Sequence, residues 1–195
     1  MGMPEGVHRW TRDEVQALPE DGNRYELIDG ELLVSPSPQA IHQRAVLELF
    51  RLVDPYVRSN RVGATGLAPA DLDLGAGHLV QPDLFVVPLL PNGKEPLEWA
   101  EFGVPLLIAE VISPSTARYD RTAKRRLYQR RGVAQYWIVD TDARTIERWE
   151  PDDTRPEILE EEIRWQPARL SEALVIALPD YFRAVWDEAS AASPD

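Results

Sequence analysis

Apolar residues follow two different periodicities near the start of the chain. In YELIDGELLVSPSP, two apolar-rich runs flank Asp29 and Gly30, a pair typical of tight turns, so we predict a β-hairpin. Upstream of the hairpin, Thr11 and Glu14 have the spacing of a capping box, which predicts a short helix over residues 10–18.

A longer helix should follow the hairpin. Ser37 and Pro38 suit the N-cap and the first helical position. Pro55 should kink or break this helix near its end, because proline cannot donate a backbone hydrogen bond. The apolar face of the helix would consist of residues at helical spacing, namely Ile41, Ala45, Leu49, Leu52, Val53 and Tyr56.

Strand and helix patterns then alternate along the rest of the chain. HLVQPDLFVV predicts a strand that contains Asp83. PLLIAEVIS is a nearly continuous apolar run with one acid, Glu110, which is typical of a central strand buried on both faces. The other expected elements are a weak strand over residues 70–74, a loop over 88–103, a helix over 118–131 closed by Gly132, strands at QYWIVD and TIERWE, and a helix over 178–187.

This alternation predicts a single α/β domain. We expect it to span residues 10–188, with a frayed leader over residues 1–9 and a disordered tail over residues 189–195. A chain of 195 residues, 44% of them hydrophobic, can bury the core of one domain. The absence of cysteine excludes disulfides, cysteine-ligated metals and a thiol nucleophile. No apolar run suits a signal peptide or a transmembrane helix, so we expect a cytoplasmic protein without membrane contact.

Charge is distributed unevenly along the sequence. The net charge of −12 argues against a simple nucleic-acid coat protein, which would be basic. The predicted helix over residues 118–131 is nevertheless rich in Arg and Lys, and we expect it to contact the DNA backbone without reading bases. The alternative is that these residues only form the wet face of a helix. They are Arg118, Arg121, Lys124, Arg125, Arg126, Arg130 and Arg131.

Two acids lie inside apolar strands, where ionised carboxylates are rarely buried without a partner. Either acid, Asp83 or Glu110, could be explained on its own by a structural ion pair or by a position at the end of a strand, where the carboxylate faces water. Two such acids in successive strands favour a shared site, because neighbouring strands lie only about 5 Å apart. Oxygen ligands at this spacing suit Mg²⁺ or Mn²⁺.

The order of motifs carries a resemblance to a known family. YELIDGELLVSPSP, QPDLFVV, AEVISPST and DRTAKRRLYQRRGVAQYWIVD together resemble a large bacterial family of restriction-endonuclease-like proteins, the Uma type, within the PD-(D/E)XK nuclease superfamily. The resemblance spans about residues 25–140 and implies a mixed central sheet flanked by helices, with the N-terminal hairpin added. The superfamily's lysine, two residues after the second acid, is replaced here by Ile112. In relatives with this break the lysine comes from the next helix, where Lys124 stands.

The resemblance implies a catalytic site of four residues: Glu26, Asp83, Glu110 and Lys124. Asp83 and Glu110 would bind Mg²⁺ or Mn²⁺, and Lys124 would orient the attacking water or stabilise developing negative charge. From the sequence alone, Lys124 could equally be a solvated lysine, and Glu26 an outward-facing strand acid. Asp120, four residues before Lys124, would pair with it and position it.

The leading hypothesis is therefore a divalent-metal-dependent endonuclease that hydrolyses phosphodiester bonds in DNA. The alternative is a catalytically inactive protein on a nuclease fold that binds nucleic acid or protein. His42 could contact a phosphate or hold an acid, although such a histidine more often caps the edge of a core. We also expect a homodimer, because duplex DNA favours two-fold binding and residues 145–165 offer strand edges. Bulky apolar groups accompany these edges, including Trp149, Trp165 and Trp186.

Overall fold

The N-terminal segment has the predicted capped helix and hairpin. The computed structural model describes residues 8–75, 77–98, 103–167 and 170–188, so the expected tail and most of the expected leader lie outside the described residues. Helix α1 (Arg12–Gln16) begins with the predicted capping box, in which Thr11 and Glu14 each accept a hydrogen bond from the other's backbone amide. Strands β1 (Arg24–Ile28) and β2 (Glu31–Ser35) pair antiparallel, which confirms the hairpin.

Helix α2 (Ala40–Ser59) differs from its prediction at both ends. Its N-cap is Gln39 rather than Ser37, because the Ser37 hydroxyl donates a hydrogen bond to the carbonyl oxygen of Gly22. Pro55 lies inside the helix and does not end it. The carbonyl that Pro55 leaves without a helical donor belongs to Arg51, an exposed residue, so water can satisfy it.

The remaining strands form three sheets with a mixed central sheet. A six-stranded sheet has the order β10-β9-β8-β7-β6-β3, in which β7 and β8 are parallel and the other neighbours antiparallel. A four-stranded sheet has the order β2-β1-β5-β4, and β11 pairs with β12. The strands are β3 (Gly63–Leu67), β4 (Leu72–Asp73), β5 (Leu79–Val80), β6 (Leu84–Pro88), β7 (Leu107–Val111), β8 (Tyr136–Asp140), β9 (Thr145–Trp149), β10 (Glu157–Leu159), β11 (Glu162–Trp165) and β12 (Leu174–Ala177).

The segment HLVQPDLFVV is not one strand, which corrects the prediction. It contributes β5 to the four-stranded sheet and β6 to the six-stranded sheet, and Asp83 lies between them, directly before β6. Pro82 has no N–H for a strand ladder, and the backbone N–H of Gln81 donates to the side chain of Glu26 instead. The chain therefore crosses from one sheet to the other at this point.

The predicted basic helix is present but is not a uniform α-helix. It consists of α3 (Ala117–Tyr119), a π-helical segment (Asp120–Lys124) and α4 (Arg125–Arg130). Gly132, with φ 72°, lies just beyond its end, as predicted. The π-helical segment was not predicted, and it carries two of the residues that build the candidate site described below.

Two apolar cores cover the two faces of the six-stranded sheet. One contains α2, the pair β11–β12 and α5 (Leu178–Trp186), which confirms the predicted closing helix. The other contains α4 and parts of the four-stranded sheet. Trp165 and Trp149 are buried in these cores, whereas Trp186 is 38% exposed, so two of the three tryptophans expected at a dimer surface serve the core. Among the described residues, no helix is both long and apolar enough to cross a membrane.

Candidate active site

The four residues singled out from the sequence converge where the two large sheets meet. Nζ of Lys124 lies 2.8 Å from Oε2 of Glu26 and 2.9 Å from Oε1 of Glu110. The backbone N–H of Asp83 is 3.4 Å from Oε2 of Glu110. Glu26 is buried at the centre of this group, so its side chain does not face solvent as an outward strand acid would.

The strand register explains the convergence of the acids. In the antiparallel pair β6–β7, Leu84 is opposite Ala109, which places Asp83 and Glu110 side by side one step further along the ladder. Glu26 comes from β1 of the other sheet and approaches from across the junction. Burial of an acid between two apolar layers requires a cation, which the neighbouring helix supplies.

Lys124 is the cation shared by three buried carboxyl groups. Besides Glu26 and Glu110, it lies 3.5 Å from Oδ1 of Asp120, so the pairing expected at i, i+4 is present. The hydroxyl of Tyr128, one further turn along the helix, donates to Oε1 of Glu110 at 3.0 Å. The Lys124 residue is 4% exposed, which excludes a solvated surface lysine.

Asp83 has its own set of partners, which the sequence interpretation largely missed. Arg24 Nη1 donates to its Oδ1 at 2.8 Å, and His42 Nε2 lies 3.0 Å from its Oδ2. The backbone N–H of Val111 also donates to Oδ2, at 2.9 Å. One available signal was the strand period, because Arg24 precedes Glu26 by two positions and must share its face of β1. His42 contacts an acid, which was one of the two roles considered for it.

Carboxyl groups outnumber permanent cations in this buried cluster. Four carboxyl groups, from Glu26, Asp83, Glu110 and Asp120, surround two permanent cations, Lys124 and Arg24. Burial raises the pKa of Glu110 to about 8, against the opposing effect of Lys124 and with support from the neighbouring acids. Burial also raises the pKa of Asp120.

Asp83 and Lys124 both remain charged despite their burial. Burial raises the pKa of Asp83, but hydrogen bonds and charge from His42 and Arg24 outweigh it and hold the pKa at about 2. Burial likewise lowers the pKa of Lys124, but Glu110, Glu26 and Asp120 raise it well above its ordinary value. Asp83 is therefore an ionised carboxylate, whereas ionisation of the neighbouring Glu110 costs free energy.

The oxygen donors fit a hard divalent cation. A carboxylate has about four acceptor positions. Asp83 uses three of them for the contacts described above, of which one is at Oδ1 and two are at Oδ2. Glu110 also uses three, of which one is at Oε2 and two are at Oε1. One position therefore remains on each acid. Across the described parts of the chain, no three or more His, Asp or Glu side chains are grouped as metal ligands, so a cation here would have two carboxylates and water, as is common for Mg²⁺.

A cleft of about 370 Å³ opens beside the cluster. Arg24 and His42 line it and contact Asp83 from that side. The lining does not include Glu26, Asp83, Glu110 or Lys124. These four residues therefore form a buried cluster behind this wall.

Comparisons with known proteins agree with this architecture. The chain is similar to a solved protein from Anabaena variabilis ATCC 29413, titled a "putative nuclease belonging to DUF820", with a TM-score of 0.72 and 23% identity over 90% of this chain and 99% of that one. At this identity the likeness establishes the fold alone. A search of curated proteins finds no match. The family model Uma2, described as "Putative restriction endonuclease", matches residues 12–185. The chain therefore belongs to the Uma2 family of restriction-endonuclease-like proteins.

Proposed function

We propose that this protein is a nuclease that hydrolyses phosphodiester bonds in DNA with Mg²⁺ or Mn²⁺ as its cofactor. The observation that carries the proposal is the convergence of Glu26, Asp83 and Glu110 on one buried lysine, Lys124, at the junction of two sheets. Membership of the Uma2 family supports it. Four buried carboxyl groups around two cations are not expected in a core that serves stability alone, because burying charged groups costs free energy.

Each residue of the cluster has a distinct proposed role. Asp83 and Glu110 would hold the cation, each through its remaining acceptor position. When bound, the cation polarises a phosphoryl oxygen and makes a water more acidic. Lys124 is fixed by its carboxylates, so its ammonium is a preorganised positive charge that donates to the attacking water or to the phosphoryl oxygen. Glu26 positions Lys124, because one of its oxygens is held by the N–H of Gln81 and the other by Lys124.

The outer face of the basic helix supports a nucleic-acid substrate. Arg118, Thr122, Arg126 and Arg130 recur every four residues and are all exposed. They line a groove of about 310 Å³ against the turn of the hairpin, where Arg130 also pairs with Asp29 at 2.9 Å. The three arginines of this row are exposed cations that can contact the phosphates of a DNA strand. Such contacts give no base specificity.

A cleavage assay tests the proposal. The wild type, incubated with DNA and Mg²⁺ or Mn²⁺, should cleave it and should stop when EDTA is added. Asp83→Asn and Glu110→Gln preserve side-chain shape and should each lower the rate by on the order of 10²-fold or more, because each weakens cation binding. Asp152→Asn, an exposed acid in the turn before β10, is the matched control and should cleave like the wild type. Cleavage that persists at wild-type rate in Asp83→Asn would rule out the proposed site.

A second candidate is a catalytically inactive member of the fold that binds nucleic acid or protein. The observation that favours it is the position of Lys124, whose ammonium already occupies the space between Glu26 and Glu110. In that case Mn²⁺ would leave the melting temperature of the wild type unchanged, whereas a cation-binding site would raise it with increasing Mn²⁺.

A further inference from the structure

The cleft beside the candidate site has a chemistry of its own that catalysis by Asp83, Glu110 and Lys124 does not use. Arg24 and His42 form the wall nearest Asp83. The rest of the lining includes apolar side chains, among them Ile41 and Ile112, and a group of hydroxyls that includes Ser113, Ser115 and Thr116. It also includes the amide of Gln39 and one acid, the exposed Asp142.

Arg24 and His42 both retain hydrogen-bonding groups after contacting Asp83. Arg24 donates through Nη1 alone, to Asp83 Oδ1 at 2.8 Å and to the carbonyl oxygen of Gln81 at 3.1 Å. A guanidinium has five N–H donors, so its Nε and Nη2 groups have no partner within the described residues. His42 contacts Asp83 through Nε2, and its Nδ1 is buried without a hydrogen-bond partner in the same part of the chain.

These groups match a phosphate ester attached to an apolar body. An arginine with an open edge binds two oxygens of a phosphate at once. Ser113 Oγ lies 3.0 Å from Ser115 Oγ and 3.1 Å from Thr116 Oγ1, which gives a set of rotatable donors on the same cleft. Ile41 and Ile112 offer an apolar surface for a base or a sugar.

We propose that this cleft binds one nucleotide of an unpaired nucleic-acid strand, with its phosphate on Arg24 and His42. The inference rests on the proposed nuclease function and assigns the substrate class to the same site. A volume of about 370 Å³ is at the lower end for ligand sites and admits a single nucleotide rather than a stacked base pair. Because the carboxyl groups lie behind this wall, a strand reaches them only when it is single or frayed.

Nucleotide and cation should bind cooperatively. Asp83 is an anion that competes with the phosphate for Arg24 and His42. A cation held by Asp83 and Glu110 offsets that negative charge, so the affinity for nucleotide rises when Mg²⁺ is present, and the affinity for Mg²⁺ rises by the same factor.

Calorimetry and NMR on the whole protein test the inference. Thymidine 5′-monophosphate is titrated into the wild type with Mg²⁺, and the histidine side chains are followed in a ¹H–¹⁵N spectrum. The resonances of His42 should shift, whereas those of His78, buried against Asp29, should not. His42→Ala and Arg24→Gln should each weaken binding by on the order of 10-fold or more, as expected for a hydrogen bond to a charged group. Arg164→Gln, which removes an exposed charge on β11, should bind like the wild type.

The outcomes separate this inference from the nuclease proposal. An unshifted His42 signal together with wild-type affinity in His42→Ala overturns the nucleotide site, even where DNA is cleaved. Nucleotide binding without cleavage leaves the nucleotide site intact and removes the nuclease function.

A short thymidine oligonucleotide should displace the mononucleotide, and the same segment annealed in a blunt duplex should not. Equal displacement by the duplex overturns the requirement for an unpaired strand. If Arg24→Gln does not fold, the shift of the His42 resonances in the wild type still tests the inference.

Discussion

Lys124 contacts more carboxyl groups of the buried cluster than the other permanent cation, Arg24, does. It is the cation shared by Glu26, Glu110 and Asp120. Lys124→Ala should therefore destabilise the metal-free protein by about 3–5 kcal/mol, since it leaves buried carboxylates without compensation. Lys94→Ala removes an exposed lysine in the loop after β6 and is the matched control. Thermal melting in EDTA measures the difference.

Mn²⁺ should then recover more stability in Lys124→Ala than in the wild type. A divalent cation can take over the charge balance that the ammonium provides, and a ligand present at about 100 times its Kd adds about 2.7 kcal/mol. Parallel melts of both proteins over a series of Mn²⁺ concentrations measure this gain. Equal curves for the two proteins would show that Lys124 and a cation do not share the same carboxylates.

Glu110 should make the stability of the metal-free protein depend on pH. Its pKa rises from 4.5 to about 8 on folding because it is buried. The folded state therefore binds its proton more tightly, and the stabilisation is complete below 4.5 and lost as the pH rises through 8. The loss approaches about 1.4 kcal/mol per pH unit between these values. Glu110→Gln cannot ionise and should escape this loss, so urea unfolding in EDTA should separate the two proteins increasingly from pH 5 to pH 9. Parallel pH profiles would contradict the assignment.

At the scale of elements, the π-helical segment decides which side chains face inward. Residues four apart drift by about 40° around an α-helix. Asp120, Lys124 and Tyr128 are nevertheless all buried, because the wider turn over Asp120–Lys124 compensates for the drift. The exposed residue of this turn is Thr122.

The elements that the sequence predicted well are those determined by neighbouring residues. Thr11 and Glu14 specify a cap, Asp29 and Gly30 specify a turn, and the apolar run around Glu110 specifies a buried strand. The division of HLVQPDLFVV between two sheets has a local cause in Pro82, which lies inside the segment, and a distant cause in the contact of Gln81 with Glu26. Arg24 was missed, and the acid that His42 contacts was not specified, because these residues meet Asp83 only after the sheets have joined.

At the scale of the whole molecule, the homodimer remains a prediction, but fewer residues now support it. Trp149 and Trp165 are buried in the cores and cannot form an interface. Trp186 remains partly exposed, and so does β10, an edge strand of the six-stranded sheet on which Ile158 is 56% exposed. Sedimentation at micromolar concentration should give a dimer, and Ile158→Lys should shift it towards monomer because edge charges oppose strand pairing. A monomeric wild type would remove the expectation.

The separation of Glu26 from Lys124 along the chain has a consequence for protein synthesis. The ribosome releases Glu26 and Glu110 before Lys124, the cation that both contact, and a domain generally folds as a unit. Until then, closing the hairpin sheet onto β6 and β7 would bury Glu26 and Glu110 without Lys124, the cation that they share. We therefore expect the two sheets to join late, after the basic helix has left the exit tunnel. A nascent chain that stalls before residue 124 would keep its apolar sheet faces open and would be a substrate for chaperones and proteases rather than a folded fragment that sequesters metal.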